Sequence, residues 1–297
     1  MLDALSSLAE VSGQPGWSRP EIIDPLDDNT GNIVVEGGVH PCVDRTHSGD
    51  DFVPNDLAIG GVKPRVLLLS GPNMGGKSTL LRQTCLISVL AQMGCFVPAT
   101  SAKVCPVDRI FTRLGASDKL LAGQSTFFVE LSETAAALRG ATSRSLVIMD
   151  ELGRGTSTFD GTAIAHAVVK SLVEDCKCLT MFATHYHSLL VDWEGEEQVR
   201  LGHMKCLVED ESNITFLYQL GDGPCPKSFG INVARLAGLN EDILKIAAER
   251  SLAFAKEMAT GEEGEEEGRE RMELVRKIKE AAAEGNFGEL EKVVEQL

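Results

Sequence analysis

The sequence contains a glycine-rich segment whose composition and spacing suit the binding of a nucleotide's phosphate chain. Gly71-Pro-Asn-Met-Gly-Gly-Lys-Ser78 fits the pattern G-x-x-x-x-G-K-[ST] and lies between a strand-like apolar segment and a helix-like one. Glycines let backbone N–H groups turn toward phosphate oxygens, and the start of a helix adds partial positive charge. A plain glycine turn is the alternative, and the flanking segments make it the weaker one. The predicted nucleotide-binding residues here are Gly71, Pro72, Asn73, Met74, Gly75, Gly76, Lys77, Ser78 and Thr79.

Within this loop, two side chains have predicted chemical roles. Lys77 is predicted to reach the β- and γ-phosphates, and the Ser78 hydroxyl is predicted to ligate Mg²⁺. Two adjacent carboxylates, Asp150 and Glu151, follow the apolar segment SLVIM. In a protein with a phosphate loop, an aspartate at such a strand end holds the Mg²⁺ shell, so Ser78 and Asp150 form the predicted metal site. A neighbouring glutamate can orient and deprotonate the attacking water, which makes Glu151 the predicted catalytic base; a solvated strand end is the alternative.

Two other polar segments could face the same nucleotide. His185 follows the apolar segment CLTMFA, and polar residues at the C-terminal edge of a parallel sheet lie where ligands bind. It could therefore donate a hydrogen bond to the γ-phosphate in a catalytic role, and an ordinary loop histidine is the alternative. Ser125 and Thr126 open a helix-like segment, where either could be the N-cap or the helix start could face an anion.

The elements that must position these residues alternate along the chain from Arg65 onward. Short apolar segments, RVLLLS, DRIFTRL, SLVIMD and CLTMFAT, are separated by helix-like segments at about 77–93, 127–139 and 160–174. Such alternation predicts an α/β fold with a mainly parallel sheet flanked by helices on both faces. The segments VRLGHMKCLVE and NITFLYQL then predict an antiparallel pair. Two helices near 228–237 and 241–258, separated by Gly238 and Asn240, follow as a predicted helix-turn-helix.

The ends of the chain have a different character from its centre. Residues 1–16 resemble the end of a helix that has lost its beginning, which suggests a piece of a longer protein. Pro15, Gly16 and Pro20 then break the helical pattern, and a loop-rich stretch with DPLDDNTGN follows. At the other end, residues 259–297 form an acidic linker, GEEGEEEGRE, and a possible tail helix.

Composition and charge exclude several classes of protein. With 28 Lys and Arg against 44 Asp and Glu the formal charge is −16, so most of the surface would repel the phosphate backbone of nucleic acid. No apolar run approaches the ~20 residues that span a bilayer, and no secretory signal is visible at the start, so no membrane partner is expected. The eight cysteines include no C-x-x-C pair, which is typical of reduced cysteines in an intracellular protein.

Four segments together carry a family resemblance. GPNMGGKST, GQSTFFVELSE, DELGRGTSTFDG and ATHYHSL, in that order, resemble the ATPase domain of the MutS mismatch-repair family over residues 17–258. FVPNDL, RIFTRLGASD and RLGHMKC are closest to the family's branch of sixth eukaryotic homologues. The resemblance implies a P-loop NTPase of ABC-like type that uses ATP and Mg²⁺ in the nucleus, with residues 1–16 as the end of a lever-type helix.

The resemblance also implies roles for individual residues. Asn73 matches the family residue that contacts the γ-phosphate, and Phe52 and Val53 lie where the family packs against adenine. Tyr218 falls where bacterial members have a histidine that stacks on the base. Ser125 matches the signature serine that, with Thr126, reaches the nucleotide of a partner subunit.

The implied partner is the second eukaryotic MutS homologue, in a heterodimer joined through the ATPase faces and the helix-turn-helix. DNA reading by that helix-turn-helix is disfavoured because its second helix carries Glu241, Asp242 and Glu249 where a recognition helix should be basic. Mismatched DNA would be bound only through domains that have no counterpart in this sequence. Two alternatives remain open, namely a non-hydrolysing module in which nucleotide drives dimerisation and another ABC-like ATPase of chromosome maintenance.

Overall fold

A computed structural model of the protein describes residues 2–24, 31–43, 52–115, 125–208 and 214–254. The predicted acidic tail and the Gly123-Gln124 half of the signature segment lie outside these residues. The chain divides into two compact units, residues 1–233 and residues 234–297. No helix among the described residues has the length and apolar character needed to cross a membrane.

A six-stranded sheet forms the centre of the first unit, in the order β10-β9-β4-β8-β7-β6. Its strands are parallel except β10, which pairs antiparallel with β9. The predicted α/β fold with a mainly parallel sheet and an antiparallel final pair is therefore confirmed. The strands in chain order are β1 Glu21–Ile22, β2 Asn32–Gly38, β3 Asn55–Gly60, β4 Val66–Ser70, β5 Ser101–Val104, β6 Ile110–Arg113, β7 Leu146–Asp150, β8 Leu179–Ala183, β9 Val199–Val208 and β10 Ile214–Asp222.

Helices cover both faces of this sheet, which explains why its central strands are buried throughout and mostly apolar. All five residues are buried in each of β4, β7 and β8. In β4, Leu67 and Leu69 belong to one apolar cluster and Val66 and Leu68 to another, because successive side chains point to opposite faces. The helices are α1 Leu2–Ser12, α2 Lys77–Gln92, α3 Thr126–Gly140, α4 Thr158–Ser171, α5 His187–Asp192, α6 Gly230–Leu236 and α7, residues 241–254.

The chain before residue 65 contributes to a second sheet that the sequence analysis did not predict, and most of the predicted loop-rich stretch, residues 25–30, lies outside the described residues. Strands β1, β2 and β3 all lie before residue 65, and β5 joins them in the order β1-β5-β2-β3. The physical reason is that the pairing is long-range. β2 pairs with β5, Ile33 lying opposite Val104, so the local sequence of either strand carries only a weak signal.

In the second unit, the described residues include the predicted turn between the last two helices. Gly238 adopts a left-handed conformation with φ +84°, and its N–H donates to Arg235 O at 2.9 Å. Asn240 Oδ1 accepts from the Asp242 N–H at 2.9 Å, which is an N-cap contact at the start of α7. The predicted C-cap glycine and N-cap asparagine are therefore observed.

Candidate nucleotide-binding site

The glycine-rich loop connects the C-terminal end of β4 to the N-terminus of α2. Gly71 has φ +127° and Gly76 has φ +96°, a region in which side chains with a Cβ are strained. A Cβ on Gly71 would lie 3.1 Å from the Met204 backbone nitrogen, so the loop also packs tightly against β9. These two glycines are thus required by the backbone path itself.

The first turn of α2 can accept an anion. Among the described residues no side chain caps this helix, whose N-cap is Gly76. Its first N–H groups are therefore not occupied by a side-chain acceptor, and a helix start with free donors favours a phosphate.

Lys77 is buried directly beneath this loop, with 4% of its surface exposed. Its ammonium donates to Gly71 O at 2.8 Å and to Pro72 O at 3.0 Å. Burial lowers the pKa of Lys77, and the nearby carboxylates of Glu151 and Asp150 oppose that shift. The cation is thus held at the base of the phosphate loop by weak acceptors that a phosphate oxygen can outcompete.

Ser78 and Asp150 come together although they lie 72 positions apart in the sequence. The Ser78 hydroxyl donates to Asp150 Oδ2 at 2.6 Å. Asp150 Oδ1 is buried and has no hydrogen-bond partner among the described residues. Burial raises the pKa of Asp150, and the hydrogen bond from Ser78 opposes that shift. A hydroxyl beside a buried carboxylate with a free oxygen fits a hard divalent cation such as Mg²⁺.

Glu151 lies just beyond the end of β7. Its φ of +59° is left-handed, an uncommon conformation for a residue with a side chain and one that often marks a functional position. One carboxylate oxygen contacts His185 Nε2, and the other forms an ion pair with Arg154. Burial would raise the pKa of Glu151, but the hydrogen bond and charge of His185, with Arg154 and Lys77, outweigh it and lower the pKa.

The two acids therefore occupy different surroundings, as their succession at a strand end suggests. Asp150 points to the Ser78 hydroxyl, whereas Glu151 lies between two basic side chains. His185, predicted to approach the γ-phosphate, is placed against Glu151. The role of each residue remains a prediction, but the geometry groups all of them at one edge of the sheet.

Beside the loop lies a cleft of about 560 Å³, and the residues that were expected to contact adenine line it. Its volume lies within the range of small-molecule sites. The residues that line it include Phe52, Val53, Asn73, Met74, Gly76, Lys77, Ser78, Thr79, Glu151 and Tyr218. Gly71, Pro72 and His185 instead line a separate, smaller cavity of about 80 Å³, and Asn73 borders both.

Asn55 organises the far end of this cleft, and the sequence analysis missed it. Its Nδ2 donates to Tyr218 O at 2.7 Å and to Val53 O at 3.2 Å, and its Oδ1 accepts from the Leu220 N–H at 2.7 Å. Tyr218 sits in a bulge of β10 with φ +53°, and Asn55 holds that bulge in place. The only local signal was a polar residue at the start of an apolar segment.

Ser125 is placed apart from this cleft. It is the exposed N-cap of α3, and its hydroxyl accepts from the Phe128 N–H at 3.2 Å. Within the described part of the chain, neither Ser125 nor Thr126 lines the cleft. The N-cap reading of Ser125 is thus observed, and contact with a partner's nucleotide stays a prediction.

Comparisons with known proteins place these residues in a family. The family model described as MutS domain V matches residues 67–255. The DNA mismatch repair protein Msh6 of Gallus gallus is 52% identical over 270 residues, which cover 86% of this chain and 20% of that protein. Msh6 of Homo sapiens is 52% identical over 271 residues, with the same two coverages. The mismatch repair protein msh3 of Aspergillus fumigatus is 48% identical over 255 residues, or 84% of this chain and 22% of that protein. The chain spans about a fifth of the length of these relatives.

Proposed function

The chain belongs to the MutS family of DNA mismatch-repair proteins, and we propose that it is the part of such a protein that binds and hydrolyses ATP. The resemblance to the sixth eukaryotic homologues noted in the sequence agrees with the Msh6 relatives. The observation that carries the proposal is the contact between Ser78 and Asp150, which brings the glycine-rich loop and the acid pair to one place.

In this proposal, the phosphate chain lies along residues 71–79, over the first turn of α2. Lys77 exchanges its contacts with the Gly71 and Pro72 carbonyls for the β- and γ-phosphates. Asn73, between the two cavities, contacts the γ-phosphate. Phe52, Val53 and Tyr218 pack against adenine at the far end of the cleft.

Ser78 and Asp150 would hold Mg²⁺, which neutralises phosphate charge when bound. Glu151 orients the attacking water and accepts its proton. A carboxylate with a lowered pKa stays ionised at neutral pH, so it is ready to accept a hydrogen bond from water. His185 fixes the orientation of that carboxylate and donates toward the γ-phosphate.

The chain would work as an ABC-like subunit of a heterodimer with the second eukaryotic MutS homologue in the nucleus. Ser125 of this chain would complete the partner's site, and residues 228–258 would form a helix-turn-helix dimerisation element. Support for that contact comes from the exposed apolar side chains of Leu239, Ile243 and Ile246 in the second unit. Mismatched DNA would be bound by other parts of the full-length protein.

A second candidate is a module that binds nucleotide without hydrolysing it. The observation in its favour is that both carboxylate oxygens of Glu151 already contact basic side chains. The test is Glu151→Gln, measured as Mg·ATP affinity and as steady-state hydrolysis in the presence of the partner. The proposed function predicts unchanged affinity and hydrolysis that falls by about a hundredfold or more. Equal turnover in the variant would remove Glu151 from the mechanism, and absence of partner-stimulated turnover in the unaltered chain would favour the non-hydrolysing module.

A further inference from the structure

We infer that Glu130 is a positioning residue that couples the start of α3 to the loop carrying Glu151, so that contact of Ser125 with a partner's nucleotide adjusts this chain's own hydrolysis. The inference rests on the proposed function and adds to it a route between the two nucleotide sites. Glu130 is a carboxylate with only 4% of its surface exposed, in the second turn of the helix that Ser125 caps. A buried carboxylate outside the phosphate site needs a reason to be there.

Both oxygens of Glu130 are occupied, and they connect different parts of the chain. Oε1 accepts a hydrogen bond from the backbone N–H of Gly153, two positions after Glu151. Oε2 accepts from Arg113 Nη2 at 3.1 Å, at the end of β6. Arg113 is itself buried, with 7% exposed, so this is a desolvated ion pair. Charge-assisted hydrogen bonds are roughly twice as strong as neutral ones, so a shift of one partner acts on the other.

The loop at Gly153 has little room to absorb a movement of α3. Gly153 has φ +96°, and a Cβ on it would lie 2.7 Å from the Gly161 carbonyl oxygen of α4. A Cβ on Gly155 would lie 2.6 Å from the Phe127 side chain, in the first turn of α3. Gly153 is therefore packed against the start of α4, and Gly155, although exposed, lies against the start of α3. Closely packed segments move together because there is no free volume to take up the displacement.

The same loop sets the position of the proposed catalytic base. Glu151 is in a left-handed conformation at one end of the segment, and Arg154, which pairs with it, follows Gly153 directly. Leu152 between them is buried in the core, with 1% exposed. A displacement of Gly153 therefore acts on Glu151 from both sides, through the backbone and through Arg154. Ser125 and Glu130 thus lie on one helix, Glu130 accepts a hydrogen bond from Gly153, and Gly153 follows Glu151 by two positions in the chain.

The experiment compares two double variants that differ in one hydrogen-bond acceptor. Arg113→Met with Glu130→Met removes the ion pair and the acceptor for Gly153 together, and leaves no unpaired buried charge. Arg113→Met with Glu130→Gln removes the ion pair but keeps a side-chain oxygen for the Gly153 N–H. Glu133→Gln is the matched single control, since Glu133 lies on the same helix, is 39% exposed and also approaches Arg113, at 3.6 Å.

Each variant is assembled in the full-length protein with a partner subunit whose own hydrolysis is disabled, so that turnover reports on this chain's site. KM and kcat are measured with and without the partner. The double variant with Glu130→Met should retain its Mg·ATP affinity within about twofold. The factor by which the partner raises kcat should be about tenfold smaller than in the unaltered chain. The Glu130→Gln pair should regain most of that stimulation, and Glu133→Gln should behave as the unaltered chain.

Equal stimulation in the two double variants, whether both keep it or both lose it, overturns the route through Gly153. A loss of Mg·ATP affinity in the Glu130→Met pair alone overturns it as well, because Glu130 would then only support the fold of the site. These results can be distinguished from a failure of the proposed function. If the proposed function is wrong, the unaltered chain itself shows no turnover that depends on the partner.

Discussion

At its phosphate end, the cleft is lined mainly by one segment, residues 73–79, whereas its other end joins Asn55 and Tyr218, which lie 163 positions apart. The phosphate end uses backbone N–H groups, a buried cation and a carboxylate. The far end uses aromatic and aliphatic side chains held by one asparagine. Charge and backbone geometry thus define one end, and long-range packing defines the other. Substitutions at the phosphate end should therefore lower nucleotide affinity more than substitutions at the far end. Their effect should depend on the phosphate chain of the ligand and not on its base.

The largest effect is expected from Lys77→Ala. It removes the cation at the base of the loop, so the affinity for Mg·ATP should fall by about 2–5 kcal/mol. Titration calorimetry measures the change. Lys103→Ala is the control, because it removes an exposed lysine that pairs with Glu21 in the second sheet. Unchanged affinity in Lys77→Ala would contradict the placement of the phosphates.

Asp150→Asn should lower hydrolysis without lowering the stability of the folded chain. Because burial raises the pKa of Asp150 in the folded chain, ionisation as the pH rises through that value removes stability, which the protonated form retains at lower pH. An asparagine keeps an acceptor for Ser78 and carries no charge, so the thermal midpoint at neutral pH should be equal or higher. Mg²⁺-dependent hydrolysis should nevertheless fall by about a hundredfold.

The stability half is checked by calorimetric unfolding at pH 7 and at pH 5. The advantage of Asp150→Asn over the unaltered chain should be smaller at the lower pH, because burial raises the pKa of Asp150 and so brings its protonation closer to that pH. A variant that is less stable at both values would contradict the desolvation argument.

A smaller effect is expected from Asn55→Ala, at the far end of the cleft. The Tyr218 carbonyl and the Leu220 N–H lose their partner, and the bulge in β10 loosens. ATP affinity should fall by about 1–2 kcal/mol, and the affinity for inorganic triphosphate should not change. Asp56→Ala is the matched control, because Asp56 lies next on β3 and accepts from the Gly37 N–H instead. If both ligands weaken equally, Asn55 supports the whole cleft rather than its base end.

The smallest change is expected at Tyr218 itself. Tyr218→Phe keeps the ring and should leave ATP affinity within about twofold, whereas Tyr218→Ala should lose about 1 kcal/mol of stacking. Competition binding with ATP and with triphosphate checks this. Loss of affinity in the phenylalanine variant would mean that the hydroxyl, and not the ring, contacts the base.

Much of the phosphate end could be predicted from the sequence, because each part of it is local. The loop, its strand and its helix are consecutive, and the predicted start of α2 agrees with the observed Lys77. The acid pair at the end of β7 was predicted for the same reason, since an apolar strand that ends in two carboxylates is visible in a few residues. The central sheet followed from the alternation of apolar segments and helices.

The second sheet, the bulge at Tyr218 and the contacts of Asn55 and Glu130 depended on the tertiary structure. Each of them joins segments that are distant in the chain, and nothing in either segment names its partner. The sequence shows Arg154 but does not predict its ion pair with Glu151, because that contact depends on the left-handed conformation just after β7. The sequence by itself determined which residues have the chemistry to hold a nucleotide. The fold decided which of them meet, because only long-range packing sets the distances between them.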